Sequence, residues 1–544
     1  MQPVMTPVVD SMDTGDVLLA AARKAGGALT QFTAASWEAH LKREWAGFAR
    51  TRGAADPERF WLDALQRGGV FDETTAPAAP ALAPGAQSVR FTVPAFEGTG
   101  EFTFLPVPSS MYYDGRGANK PWLLENPDPV TKITWHSWIE VSPETARVLD
   151  VREGEILRLT SPHGSVEAPV YVYPGLRNDV IAMPLGLGHT DYGEFARGRG
   201  VNALDLVGGG AGGFVPYLGT RVEVAKTRGY KQLSKTEGNP RELGRHITGI
   251  MPVAHARRGL TVEESLKDLG EAHHEINTEL ELEAITGFRN EHVERRKLGD
   301  YDAADPQWGM AIDLAKCTGC SACVTACYAE NNIPWVGEDQ VVRGREMSWL
   351  RIERYFHGGE EPGEPVTARV IPMLCQHCDN APCESVCPVY ASYHTADGLN
   401  GQVYNRCVGT RYCSNNCPYK VRYFNWYAYN KKAWPEPMQL QLNPEVTVRA
   451  RGVMEKCTFC VQRIRGAQHQ ARLDDRPLRD GDVVTACQQA CPSGAIVFGN
   501  VRDPNSGVAR AQSDHRGYHV LEELNVRPAI TYLAKVVNQA EVPA

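Results

Sequence analysis

The sequence predicts an α+β chain in which a small β-barrel is followed by a loop-rich domain organised around cysteine. Three observations predict this. Residues 120–205 hold short β-rich runs broken by glycine and proline turns. All 15 cysteines fall between Cys317 and Cys491, in four runs, and residues 1–316 contain none. The 544 residues suffice for two to four domains with buried cores, and 22% charged with 42% hydrophobic residues is ordinary globular composition.

In chain order, residues 1–75 are expected to be helical, with helices at 16–26, 34–51 and 58–67. An Ala/Pro-rich stretch, "TTAPAAPALAPG" (74–85), makes residues 76–87 a linker. The barrel is assigned to 88–228 from β-rich runs at 131–140, 154–160, 165–173 and 179–184. A helix is expected after Ser142-Pro143, where serine caps and proline occupies the first turn. "GGGAGG" (208–213) lacks the strand-before, helix-after setting of a phosphate cradle and is assigned to a loop. Residues 229–305 are expected to form a charged helical linker. It contains "VEESLKDLGEAHHEINTELELE", where His273 and His274 are read as solvated. Residues 306–535 form the cysteine domain, with small strands such as "AIVFG" (495–499).

No run approaches 18 apolar residues, so a transmembrane helix is not expected. The N-terminus shows no basic n-region, no apolar h-region of normal length and no twin arginine, hence no visible export signal. A net charge of -8 argues against nucleic acid as a partner. "KVRYFNWYAYNKK" (420–432) mixes basic and aromatic residues, but it follows Cys417-Pro418 directly and is assigned to packing over a metal site or a partner.

The first run is "CTGCSACVTAC" (Cys317, Cys320, Cys323, Cys327). The second is "CQHCDNAPCESVCP" (Cys375, Cys378, Cys383, Cys387). The third, "CVGTRYCSNNCP", holds Cys407, Cys413 and Cys417, with Thr410 where a fourth cysteine is expected. The fourth is split between Cys457, Cys460 and Cys487, Cys491. Three thiolates two residues apart on a curling loop grip three corners of one cubane. A fourth, three residues on, points toward a second cluster. Proline after the last cysteine (Pro388, Pro418, Pro492) fixes the chain's exit. Paired cysteines also make zinc ribbons; total metal separates the two readings, since clusters at every run require about fifteen irons per chain. The Thr410 hydroxyl is hard and stays protonated near neutral pH, so that corner is the one expected to be lost, leaving a [3Fe–4S] centre. Spacing leaves open whether runs exchange ligands as neighbours or as an outer and an inner pair.

"CTGCSACVTACYAENNIP", "MLCQHCDNAPCESVCPVYAS", "YNRCVGTRYCSNNCPYKVRYFNW" and "RGVMEKCTFCVQRI" resemble the four-cluster iron–sulfur subunits of complex iron–sulfur molybdoenzymes. Above all they resemble the large iron–sulfur component of alternative complex III, a quinol:electron-acceptor oxidoreductase; the resemblance covers about 305–535. It implies a double ferredoxin-like domain and nested pairing. Cys317, Cys320, Cys323 and Cys491 would hold one [4Fe–4S] cluster; Cys457, Cys460, Cys487 and Cys327 a second; Cys375, Cys378, Cys383 and Cys417 a third. Cys387, Cys407 and Cys413 would hold the [3Fe–4S] cluster, although neighbour pairing would instead bring Cys491 to that site.

By the same resemblance, "KPWLLENPDPVTKITWHSWIEV", "GEILRLTSPHGSVEAPVYVYPG" and "VIAMPLGLGHTDYG" look like the C-terminal barrel of molybdopterin oxidoreductases. Only about 120 residues precede it and no upstream cysteine exists to ligate molybdenum, so no molybdopterin is expected. The implied function is that of a non-catalytic electron-transfer subunit in a respiratory chain. It would take electrons from quinol in a polytopic membrane partner, through the three-iron centre, and pass them to a multihaem cytochrome or oxidase. The alternative owner is a polysulfide- or dimethyl sulfoxide reductase-type molybdoenzyme. The implied location is the periplasmic face of a membrane, reached through partners. His377, inside the second run, is positioned to tune cluster sulfur through a hydrogen bond.

Overall fold

A computed structural model describes residues 10–71, 82–85, 88, 95–209, 217–236, 238–242, 245, 247–269, 305–359, 364–429 and 436–538. The chain divides into two compact units, Met1–Val93 and Pro94–Ala544.

The first unit holds α1 (Thr14–Ala25), α2 (Trp37–Thr51) and α3 (Pro57–Arg67), within three residues of the expected bounds. Each starts where a short polar side chain accepts an otherwise unpaired N–H: Asp13 from Gly15, Ser36 from Ala39, Asp56 from Glu58. Trp45 packs edge-on against Phe48 and Trp61, joining α2 to α3. Residues 74–81 of the Ala/Pro stretch lie outside the described residues.

The second unit opens with a closed six-stranded barrel of β1 (Phe102–Val107), β2 (Ile139–Val141), β3 (Glu155–Thr160), β4 (Ser165–Val172), β5 (Val180–Pro184) and β6 (Arg221–Tyr230), in the order β1-β5-β2-β4-β3-β6. Period-two alternation sends Leu157, Leu159, Ala168, Val170, Ile181 and Val222 inward, where Phe104 and Met183 join them in one apolar core. The expected strand at 131–140 is corrected. Only Ile139–Val141 forms a strand, with Ile133 in a single bridge to Lys235, because Lys132 and Trp135 take positive φ values of 62° and 65°, which a strand cannot hold. The helix after Ser142 forms as α4 (Pro143–Val148), with Ser142 Oγ accepting Thr145 N–H at 3.0 Å.

Part of the expected helical linker belongs to the core. Ile250–Pro252 forms a strand parallel to Lys535–Val537 and buries Met251; short helices Val253–Arg258 and Val262–Asp268 follow. Residues 270–304, including His273 and His274, and residues 210–213 of the glycine stretch lie outside the described residues.

The cysteine-bearing region is built on β7 (Trp308–Asp313), the antiparallel hairpin of β8 (Leu350–His357) and β9 (Thr367–Leu374), and β10 (Ile496–Asn500), β11 (Gly517–Tyr518) and β12 (Ile530–Leu533). Its four-stranded sheet runs β10-β7-β12-β11, and every residue of β7 is buried. The barrel docks on this region through polar contacts. Glu125 accepts N–H groups of Val336 and Gly337 at 2.8 Å, Asn126 Nδ2 donates to Thr325 Oγ1 at 3.0 Å, and Glu338 pairs with both Arg199 and Lys231. Among the described residues no helix is long and apolar enough to cross a membrane.

Candidate functional site

The four cysteine runs share one local device. The residue two beyond the first cysteine is left-handed in each: Gly319 (φ 71°), His377 (45°), Gly409 (71°) and Phe459 (54°). In the fourth run the left-handed residue's own amide points at sulfur, Phe459 N–H lying 3.4 Å from Cys457 Sγ. Glycine adopts this conformation without strain; at His377 and Phe459 it costs about 1 kcal/mol each. A second device follows the terminal cysteine-proline pairs. The third residue on is again left-handed (Tyr390, Lys420, Gly494). The fourth then donates its N–H to the sulfur, Ala391 to Cys387 at 3.1 Å and Ala495 to Cys491 at 3.3 Å.

These loops gather cysteines that are remote in sequence. Cys317, Cys320, Cys323 and Cys491 line one cavity, together with Ile352, Pro372 and Ile496. Cys375, Cys378, Cys383 and Cys417 line another, beside Tyr419 and Arg422. Cys327, near the end of α5 (Ala322–Glu330), has the thiols of Cys457, Cys460 and Cys487 as its electrostatic neighbours. Cys460 caps α6 (Val461–Leu473), and Cys487 lies on α7 (Ala486–Gln489). Cys407 and Cys413 pack together beside Met454. Cys387 is not brought against them in the same way; it shares with Cys413 the neighbouring charge of Arg422.

The thiols ring voids rather than converge on a point: among the described residues no three His, Cys, Asp or Glu side chains are grouped so as to hold a single ion. Sulfur donors around a void, with N–H groups aimed at them, are surroundings that suit an iron–sulfur cluster. Burial pushes the Cys323, Cys327, Cys378 and Cys457 thiols well above their ordinary range and Cys460 up to about 12. Ligation there releases protons and is favoured by compensating positive charge. Asn331 Nδ2 (3.5 Å from Cys327 Sγ) and Thr485 Oγ1 (3.2 Å from Cys487 Sγ) add further polar contacts to sulfur.

The first and third runs make the same loop. Gly319 and Ser321 (φ 71° and 61°) flank Cys320, and Gly409 and Arg411 (71° and 65°) flank Thr410. Thr410 thus occupies the backbone place of Cys320, and it is exposed.

Three features near the sulfurs are not evident from cysteine spacing. His377 Nδ1 accepts Asn400 N–H at 3.1 Å, and its ring stacks on Phe459 at 3.9 Å, joining the second and fourth runs. The expected bond from His377 to sulfur is absent from these contacts. Arg422 and Lys456 are buried cations among the thiols, at 4% and 0% exposure. Their sequence signal is slight: one lies five residues after Cys417, the other immediately before Cys457.

Family models agree with this layout. A molybdopterin dinucleotide binding domain matches residues 125–206. A 4Fe-4S dicluster domain matches 366–433, and a second 4Fe-4S dicluster model matches 316–391 and 406–495. The iron–sulfur cluster-binding subunit of menaquinone reductase from Nitratidesulfovibrio vulgaris is 43% identical over 233 residues, 42% of this chain and 89% of that protein. The Hdr-like menaquinol oxidoreductase iron–sulfur subunit 1 of Archaeoglobus fulgidus is 33% identical over 243 residues, 42% of this chain and 82% of the relative. A putative dimethyl sulfoxide reductase iron–sulfur subunit of Halobacterium salinarum is 34% identical over 229 residues, 42% and 78% respectively.

Proposed function

Since the chain belongs to the family of iron–sulfur electron-transfer subunits of molybdoenzyme-like oxidoreductase complexes, we propose that it relays electrons from a quinol-oxidising membrane partner to a haem protein or oxidase, as in alternative complex III. The observation that carries this reading is the pair of cavities ringed by Cys317, Cys320, Cys323, Cys491 and by Cys375, Cys378, Cys383, Cys417. Both four-thiol sets support the nested pairing. We assign a [4Fe–4S] cluster to each, a third to Cys327, Cys457, Cys460 and Cys487, and a [3Fe–4S] cluster to Cys387, Cys407 and Cys413. When bound, such clusters supply one-electron chemistry and no bond-making. The chain's own residues hold the sulfurs, exclude water with walls such as Ile352, Ile496 and Tyr419, and direct amides at sulfur.

No molybdopterin is assigned, because residues 1–316 offer no cysteine for molybdenum; the barrel serves as scaffold. Quinone chemistry in the partner is supported by the names of two relatives, a menaquinone reductase and a menaquinol oxidoreductase. We place the chain at the periplasmic face of the membrane through that partner, with a multihaem cytochrome as acceptor. The Halobacterium relative favours a second reading, a dimethyl sulfoxide reductase-type complex. Subunits that copurify separate the two: a multihaem cytochrome for the first, a molybdopterin subunit for the second.

The test of the cluster assignment is iron analysis and EPR on anaerobically isolated protein. About fifteen irons and the signal of an oxidised three-iron centre are expected. Thr410→Cys is expected to gain about one iron and lose that signal. Colourless protein containing a few zinc ions defeats the assignment.

A further inference from the structure

Lys456 is wholly buried, and its Nζ donates to the carbonyl of Cys457 at 2.8 Å. Arg422 donates to Gln402 Oε1 (2.8 Å), Ser392 Oγ (2.6 Å) and Asn400 Oδ1 (2.7 Å), all neutral acceptors. Among the described residues neither cation has a carboxylate in ion-pair reach. Arg449, buried in the same region, pairs with Glu455 at 2.8 Å. An unpaired buried ion costs several kcal/mol, so each of these two requires a compensating negative charge close by.

Their positions say where that charge lies. The charge of Arg422 is coupled to Cys383, Cys375, Cys413 and Cys417, and also to Cys387. It therefore stands between the Cys375 set and the three-thiol set. Lys456 faces His377, whose ring stacks on Phe459 where the loops of Cys375–Cys378 and Cys457–Cys460 meet. It directly precedes Cys457 of the Cys327 set in the chain and lies beside His377 of the loop that carries the Cys375 set. The Cys317 set has different surroundings: its neighbouring cations are half-buried Lys535 and buried Arg369, and Arg369 is attracted to Glu242, so its charge is already compensated.

We infer that Lys456 and Arg422 are counter-charges shared by the sulfur cages on either side of them, each raising the reduction potential of both neighbours. A fixed cation favours the more negative, reduced state, and water is excluded from the gap, so the effect is not screened away. The Cys375 set lies between both cations and responds to both; the Cys317 set responds to neither. This inference rests on the cluster assignment above.

The test is an EPR-monitored redox titration of the intact complex, with signals assigned through Cys→Ser changes at Cys320, Cys378 and Cys460. Lys456→Met at full iron content is expected to shift the centres of the Cys327 and Cys375 sets about tenfold toward the oxidised form, about 59 mV for a one-electron couple. Arg422→Gln is expected to shift the Cys375 and three-thiol centres by a similar factor. Lys456→Arg and Arg422→Lys are expected to stay near wild type. Unmoved midpoints at full iron, an equal shift in the Cys317 centre, or charge-keeping variants that shift as far as neutral ones overturn the inference. If the neutral variants lose iron, charge-keeping variants with full iron and wild-type midpoints sustain it, and charge-keeping variants that also lose iron overturn it. Wild-type protein without iron defeats the cluster assignment instead, so the two failures are distinguishable.

Discussion

The barrel buries Leu157, Leu159, Val170 and Ile181 at 0% exposure, hydrocarbon against hydrocarbon. The region around the cysteines reaches comparable burial with thiols in its interior, and with an arginine and a lysine that have no carboxylate partner among the described residues. The first arrangement is self-sufficient, because apolar surface gains by contact with itself. The second is incomplete as protein alone: buried thiols resist ionisation and buried cations need anions. One half of this unit carries its own driving force, while the other depends on what it binds.

The most severe way to break this contrast is to remove iron with a chelator under reducing conditions. Hydrogen-exchange protection is expected to be lost across the loops 317–327, 375–387, 407–417 and 457–491 and retained in β3 and β4. Equal loss in both regions refutes the contrast. Leu157→Ala attacks the other half. With a cavity left in the barrel, a loss of about 2–5 kcal/mol is expected, seen as a lower melting temperature with unchanged iron content.

The dock between the halves has its own pH signature. Burial raises Glu125 from 4.5 to about 7, outweighing its bonds from Gly337 and Val336. Between those values the folded chain retains a proton that the unfolded chain has released, so stability declines as pH rises from about 4.5 to about 7. The shift corresponds to about 3 kcal/mol. Glu140 is raised to about 7 for the same reason and adds to the slope. Glu125→Gln is expected to flatten its share of the decline in melts recorded between pH 5 and pH 8. The smallest effect is Ser142→Ala, which removes the cap of α4 and is expected to cost about 1 kcal/mol without altering EPR spectra.

The four cysteine runs were legible because the loop geometry is local: a left-handed residue two beyond each first cysteine and cysteine-proline exits leave a mark in the spacing itself, whereas which runs share a cavity was implied only by the family resemblance. The counter-charges were not. What makes Arg422 and Lys456 unusual is the lack of a carboxylate partner, and partners come from distant segments. In the barrel, β3, β4 and β5 were readable as β-rich runs between glycine and proline turns. β1 was hidden by Pro106 within "FTFLPV", and β6 by the charged outward face of "RVEVAKTRGY". The strand read at 131–140 failed because nothing in the composition of "TKITW" announces two left-handed turns.

Strand β7 sits at the middle of its sheet, yet both of its neighbours, β10 and β12, arrive far later in the chain, and Cys491 joins Cys317 only then. On a ribosome adding roughly 5–20 residues per second, Cys317 emerges on the order of ten to thirty-five seconds before Cys491 can meet it. During that interval the early thiols have no partner set to close around. Closing that ring of thiols therefore waits until Cys491 has emerged, and on the proposed cluster assignment the early thiols must stay reduced until then.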